Sequence, residues 1–146
     1  HLMMWNRCLP STWMPEAEPG GKNMKVSQIM KILHAQLVTG EDLLDPELQT
    51  ACGSDMMSDV LATSHNKDVL LTGLVNPQVV RTADMLDVRC LVFVRGKKPD
   101  ESLVSLAKER GIIVLCTADR MFEACGKLYA GGLNREEPNH DGTADE

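Results

Sequence analysis

Three polar segments follow directly on apolar runs, and their side chains are of the kind that hold an anion. The first is Thr72-Gly73-Leu74-Val75-Asn76, after Val69-Leu70-Leu71 and just before Pro77. Asn76 is a good N-cap and Pro77 suits the first helical position, so this loop enters a helix N-terminus. Free N–H groups and the helix dipole at such an end favour an anion or a carbonyl-rich ligand. The second is Arg95-Gly96-Lys97-Lys98-Pro99, after Val92-Phe93-Val94. Three cations and a glycine that lets backbone approach closely suit phosphate. The third is Thr117-Ala118-Asp119-Arg120, after Ile112–Cys116. The candidate ligand-binding residues are therefore Thr72, Gly73, Asn76, Arg95, Gly96, Lys97 and Thr117. Each also has a plain structural reading: Gly73 and Asn76 as turn and cap, Arg95 and the lysines as solvated charge, Thr117 as a cap.

No residues stand out for a reaction. There is no G-x-G-x-x-G and no G-x-x-x-x-G-K-[ST], so neither dinucleotide binding of the Rossmann type nor NTP hydrolysis is supported. The histidines are scattered, and nothing in the spacing of Cys52 and His65 makes them a nucleophile and base. Asp55 and Asp59, four apart, fit one helix face as a metal pair or, more simply, a cap and a solvated acid. We assign no catalytic residue, metal or cofactor.

The elements that position the three loops are read from periodicity. Val69–Gly73, Arg89–Val94 and Ile112–Cys116 read as strands, alternating with helices over Asn76–Leu86, Asp100–Arg110 and from Thr117 or Asp119 to Tyr129. Asp100 caps the second of these helices, and Gly111 ends it in the left-handed position. Short apolar strands alternating with amphipathic helices predict an α/β fold: a small, mainly parallel sheet flanked by helices. All three loops then lie at the carboxyl ends of the strands, where open parallel sheets bind ligands. Upstream, Lys25–His34 is a short helix with Ser27 near its start, Gln36–Gly40 a strand and Glu41–Glu47 an acidic loop. Thr50–Gly53 is another short strand, and Ser54 or Asp55 caps a helical turn to Leu61. These N-terminal pieces supply short extra strands or cover the second face of the sheet.

The domain organisation is residues 1–23 as an extraneous or disordered extension, 24–133 as the folded unit and 134–146 as an acidic disordered tail. Of the net charge of −6, the tail carries −4, with Arg135 against five carboxylates, and residues 1–23 are neutral. The folded unit is nearly balanced and has no basic stripe, which argues against nucleic acid as a partner. No apolar run approaches a membrane span. Five cysteines without a C-x-x-C pair predict a reduced, cytoplasmic chain.

With these residues in view, Met24 to about Leu133 resembles the DRTGG domain family. The resemblance is carried by Met24-Lys25-Val26-Ser27-Gln28-Ile29, Val38-Thr39-Gly40, Gly53-Ser54-Asp55-Met56-Met57-Ser58-Asp59-Val60-Leu61 and Leu71-Thr72-Gly73-Leu74-Val75-Asn76-Pro77. It continues through Val92-Phe93-Val94-Arg95-Gly96-Lys97-Lys98-Pro99. It implies a non-catalytic regulatory module, similar to domains fused to phosphotransacetylases, found beside CBS domains in regulated pyrophosphatases, or forming the N-terminal part of HPr kinase/phosphorylase. In the first two settings adenine-nucleotide binding and dimerisation are implied, and stand-alone copies near iron-only hydrogenase genes suggest a redox-enzyme partner. Where the Asp-Arg-Thr-Gly-Gly signature falls, this chain has Asp45-Pro46-Glu47-Leu48 and later Cys52-Gly53, so no contact by that arginine carries over. The expectation is a homodimeric regulatory module binding an adenine nucleotide or another anionic small molecule. The alternative is a dimerisation or scaffold module acting on a redox-linked partner.

Overall fold

A computed structural model describes residues 23–133 other than Leu44 and His65. The elements are β1 (Met24–Lys25), α1 (Val26–Leu33), β2 (Gln36–Thr39), β3 (Glu47–Leu48), β4 (Ala51–Gly53) and α2 (Met57–Thr63). They continue as β5 (Val69–Thr72), α3 (Pro77–Met85), β6 (Cys90–Phe93), α4 (Glu101–Arg110), β7 (Ile113–Cys116) and α5 (Met121–Ala130). The readings of residues 1–22, of the tail from residue 134 and of His65 lie outside the described residues.

β5 and β6 are buried at every position, as strands covered on both faces must be. They sit in a five-stranded sheet of order β2-β7-β6-β5-β4, parallel except for β2, which pairs antiparallel with β7. Along β6, Cys90 and Val92 pack with one core layer and Leu91 and Phe93 with the other, the period-two alternation of a strand. The layer beneath Leu91 and Phe93 holds Met57 and Val60 of α2, Val79, Val80 and Ala83 of α3, and Leu103 and Ala107 of α4. All three helices are crossovers between adjacent parallel strands laid down in one direction, and right-handed crossovers place them on a common side. The opposite face is covered by α1, through Val26, Ile29 and Leu33, and by α5, through Ala124 and Leu128.

Local sequence accounts for the ends of these elements. The Asn76 side chain accepts the Gln78 N–H at 2.9 Å, and the Asp100 carboxylate accepts that of Leu103 at 3.0 Å. Gly111 closes α4 at φ 69°, a left-handed conformation that costs glycine little. Three expectations fail nearby. Met24–Lys25 is a strand paired with Glu47–Leu48, not the lead-in to a helix, and the acidic segment therefore ends in a strand. The driving force is burial, since Met24 and Leu48 are 5% and 0% exposed. Ser27 does not cap α1; its N–H and hydroxyl donate to Asp45 while Gln28 reaches back to the Lys25 N–H. Neither Thr117 nor Asp119 caps α5. The N-cap is Arg120, whose N–H is taken by Glu123 at 3.1 Å.

Among the described residues, no helix is long and apolar enough to cross a membrane.

Candidate functional site

The parallel register brings the loops after β5, β6 and β7 to one edge of the sheet. β4 is parallel too, so the turn after it, Ser54–Met56, arrives at the same edge as a fourth loop. Hydrogen bonds join the loops. The Val94 N–H donates to Thr72 O at 3.0 Å, the Arg95 N–H to Asp119 O at 2.7 Å, and the Gly96 N–H to Thr117 O at 2.9 Å.

The centre of this edge is Asp55. Its Oδ1 accepts the Gly73 N–H at 2.7 Å and the Thr72 hydroxyl at 3.3 Å, and its Oδ2 receives Arg95 Nη1 at 3.2 Å. The Gly73 N–H, against the opposing effect of burial and with the Arg95 guanidinium and Thr72 hydroxyl adding to it, holds the Asp55 carboxyl below the usual carboxylate range. The Asp55 carboxylate is thus not a helix cap. The N-cap of α2 is Met56, with no side-chain cap, and Ser54 Oγ takes the Met56 N–H at 3.0 Å. Among the described residues no group of three or more His, Cys, Asp or Glu is placed to hold a metal ion.

Gly73 leaves room for the Arg95 guanidinium. A Cβ there would collide with Arg95 Nη2 and Cζ, because the guanidinium lies against the Gly73 backbone. Arg95 itself is at φ 61°, a left-handed conformation that disfavours a side chain by about 1–2 kcal/mol. Its ion pair with Asp55 has both side chains over 40% exposed, and such pairs contribute about 0–1 kcal/mol. The ion pair alone therefore does not offset the strain. The backbone bonds to Asp119 and Thr117 hold the strained turn, and strain kept at a polar, solvent-facing edge is characteristic of binding sites.

The sequence-derived candidates divide accordingly. Thr72, Gly73 and Arg95 come together around Asp55. Gly96, also left-handed at φ 68°, shapes the turn, and Lys97 stands exposed beside it. The Asn76 side chain is committed to the Gln78 N–H as a cap. Thr117 is buried; its hydroxyl donates to Leu33 O at 2.7 Å and accepts the Asp119 N–H at 3.2 Å. Cys52 lies apart in β4, its thiol pushed up by burial.

Across Ser54–Met56, Gly73–Asn76, Arg95–Pro99 and Thr117–Arg120, four cations face two carboxylates. In a chain of net charge −6 this edge is locally positive, the sign an anion requires. Asp55 engages Nη1 of Arg95, and no other side-chain partner of this guanidinium occurs among the described residues.

The chain is similar to a solved structure of the CBS and DRTGG domains of the regulatory region of Clostridium perfringens pyrophosphatase, complexed with its activator diadenosine tetraphosphate. The identity is 18% and the TM-score 0.59, over 75% of this chain and 47% of that one. A likeness at this identity establishes the fold, and the chain spans about half the length of that regulatory region. A search of curated proteins gives no match. The profile of the DRTGG domain matches residues 28–130, most of the described fold. The chain belongs to the DRTGG domain family.

Proposed function

We propose that this chain is a non-catalytic regulatory module that senses an adenine nucleotide, or a related phosphorylated small molecule, at the carboxyl edge of its parallel sheet. The observation that carries the reading is the strained Arg95, its guanidinium held against Gly73 and its side chain 41% exposed, on a locally positive edge. Thr72, Gly73 and Arg95 contact the phosphate, Gly96 and Lys97 line its approach, and Asn76 and Thr117 support the loops. Family membership supports the regulatory role, and the activator bound to the pyrophosphatase regulatory region suggests the ligand class. The module works in the cytoplasm as a homodimer, which sedimentation tests.

Isothermal titration of the full chain with ATP, AMP and diadenosine tetraphosphate is the direct experiment. Saturable heat is expected for at least one of them, with the nucleotide recovered intact afterwards. Gly73→Ala should weaken that binding by tenfold or more, about 1.4 kcal/mol, by evicting the guanidinium. It should leave the fold intact, because the displaced atoms are the far end of a flexible side chain. Flat heats with all three nucleotides would reject the nucleotide reading.

A second reading, a scaffold module for a redox-enzyme partner, draws on the exposed apolar side chains. Phe122 is 89% exposed, Met85 70%, Met56 63% and Tyr129 59%. A partner retained from native extract without nucleotide, and lost on Arg95→Glu, would favour this second reading over the first.

A further inference from the structure

The donors that would grip a phosphoryl group are already gripping Asp55. Its two carboxylate oxygens take the backbone N–H of Gly73, the hydroxyl of Thr72 and Nη1 of Arg95, at 2.7, 3.3 and 3.2 Å. That is a bidentate anion receptor with an anion in it. A phosphoryl group presents a similar pair of oxygens and the same preference for a guanidinium and a backbone N–H. Asp55 is attached by a short turn between β4 and α2 and is exposed to solvent, so it can leave without opening the core.

We infer that Asp55 is an internal competitor: in the free protein it fills the receptor formed by Gly73, Thr72 and Arg95, and a phosphorylated ligand binds by displacing it. This rests on the nucleotide-sensing reading above and adds how that site is regulated. Displacement has a built-in output. Asp55 adjoins Met56, the N-cap of α2, and α2 packs on α3 through the core layer of Met57, Val60 and Val80. Releasing the carboxylate frees the turn that sets the start of α2, so occupancy of the site changes the surface around the exposed Met56. The device also sets specificity: a monovalent or weakly held anion does not outcompete a tethered carboxylate, whereas a polyphosphate that also reaches Lys97 does.

The test is titration of wild type and Asp55→Asn with pyrophosphate, AMP, ATP and diadenosine tetraphosphate. The variant keeps an oxygen for the Gly73 N–H but removes the competing charge. Binding to Asp55→Asn should be tighter than to wild type by tenfold or more, and Arg95→Gln should abolish it in both backgrounds. Equal or weaker binding to Asp55→Asn, with wild type still binding, would overturn the competitor and leave the sensing role standing. If no probe binds either protein, both fall. Should the variant not fold, the wild-type Gly73 amide and Asp55 carboxyl resonances decide: both should shift at saturation with the tightest-binding probe, and their constancy would overturn the displacement.

Discussion

At Asp55 a single carboxylate ties together three strands' worth of loops, and its protonation should be visible in stability. Its folded pKa is depressed, mainly by the Gly73 N–H, so the stabilisation is fully present above the unfolded value near ~3.9 and is lost as pH falls through the lower folded value. Asp55→Asn removes the charge but keeps an acceptor. Urea unfolding should show the variant less stable at pH 7 by an amount below about 1 kcal/mol, since the pair is exposed. The gap should close as the wild type is acidified through that range. A gap independent of pH would mean that the charge has no part in holding the loops. The role of Asp55 could not be read from the chain, because its bonds to Gly73 and Arg95 cross 18 and 40 residues. A Ser-Asp pair before an apolar run carries the signature of a helix cap, and only the parallel placement of β4 turns it towards the β5 loop. Thr72, Gly73 and Arg95 were legible as edge residues because they stand at the carboxyl ends of buried apolar runs.

Elements with their own end signals were read correctly, and the two shortest strands, which carry no such signal, were not. Asn76-Pro77, Asp100 and Gly111 mark their helix ends by chemistry that needs no tertiary partner. β1 and β3, two residues each, exist because Met24 and Leu48 are pulled onto the face shared by α1 and α5. No periodicity is measurable over two residues, so neither strand could be seen in advance. The same contrast separates the two roles considered for Asn76. Its side chain already serves the Gln78 N–H, so Asn76→Ala should cost about 1 kcal/mol of stability in urea unfolding, the usual cost of a lost N-cap. Nucleotide affinity in the same variant should change by less than threefold. A large loss of affinity with full stability would move Asn76 from the scaffold to the ligand.

On the scale of the whole molecule, β6 is the strand on which both core layers depend, and Cys90 is a natural probe of it. β6 is paired on both sides, by β5 and β7, and Cys90 is 0% exposed with its thiol pushed up to about 12 by burial. A native thiol there is both inaccessible and protonated, so alkylation requires the sheet to open. Cys52, Cys116 and Cys125 are also shifted up by burial but are only partly covered, and local fluctuation suffices to expose them. Iodoacetamide labelling followed by peptide mass spectrometry should therefore modify those three before Cys90. The Cys90 rate should rise with urea along the same slope as global unfolding. Because a ligand at the loop edge binds the folded form alone, a nucleotide that occupies the site should slow Cys90 labelling in proportion to its saturation, as mass action requires. The edge and the core are joined directly: the Val94 N–H that closes the end of β6 donates to the carbonyl of Thr72, whose hydroxyl meets Asp55. If Cys90 were labelled as fast as Cys116 in the absence of urea, β6 would open independently of the rest, and a site built across four strand ends could not report to both faces of the sheet.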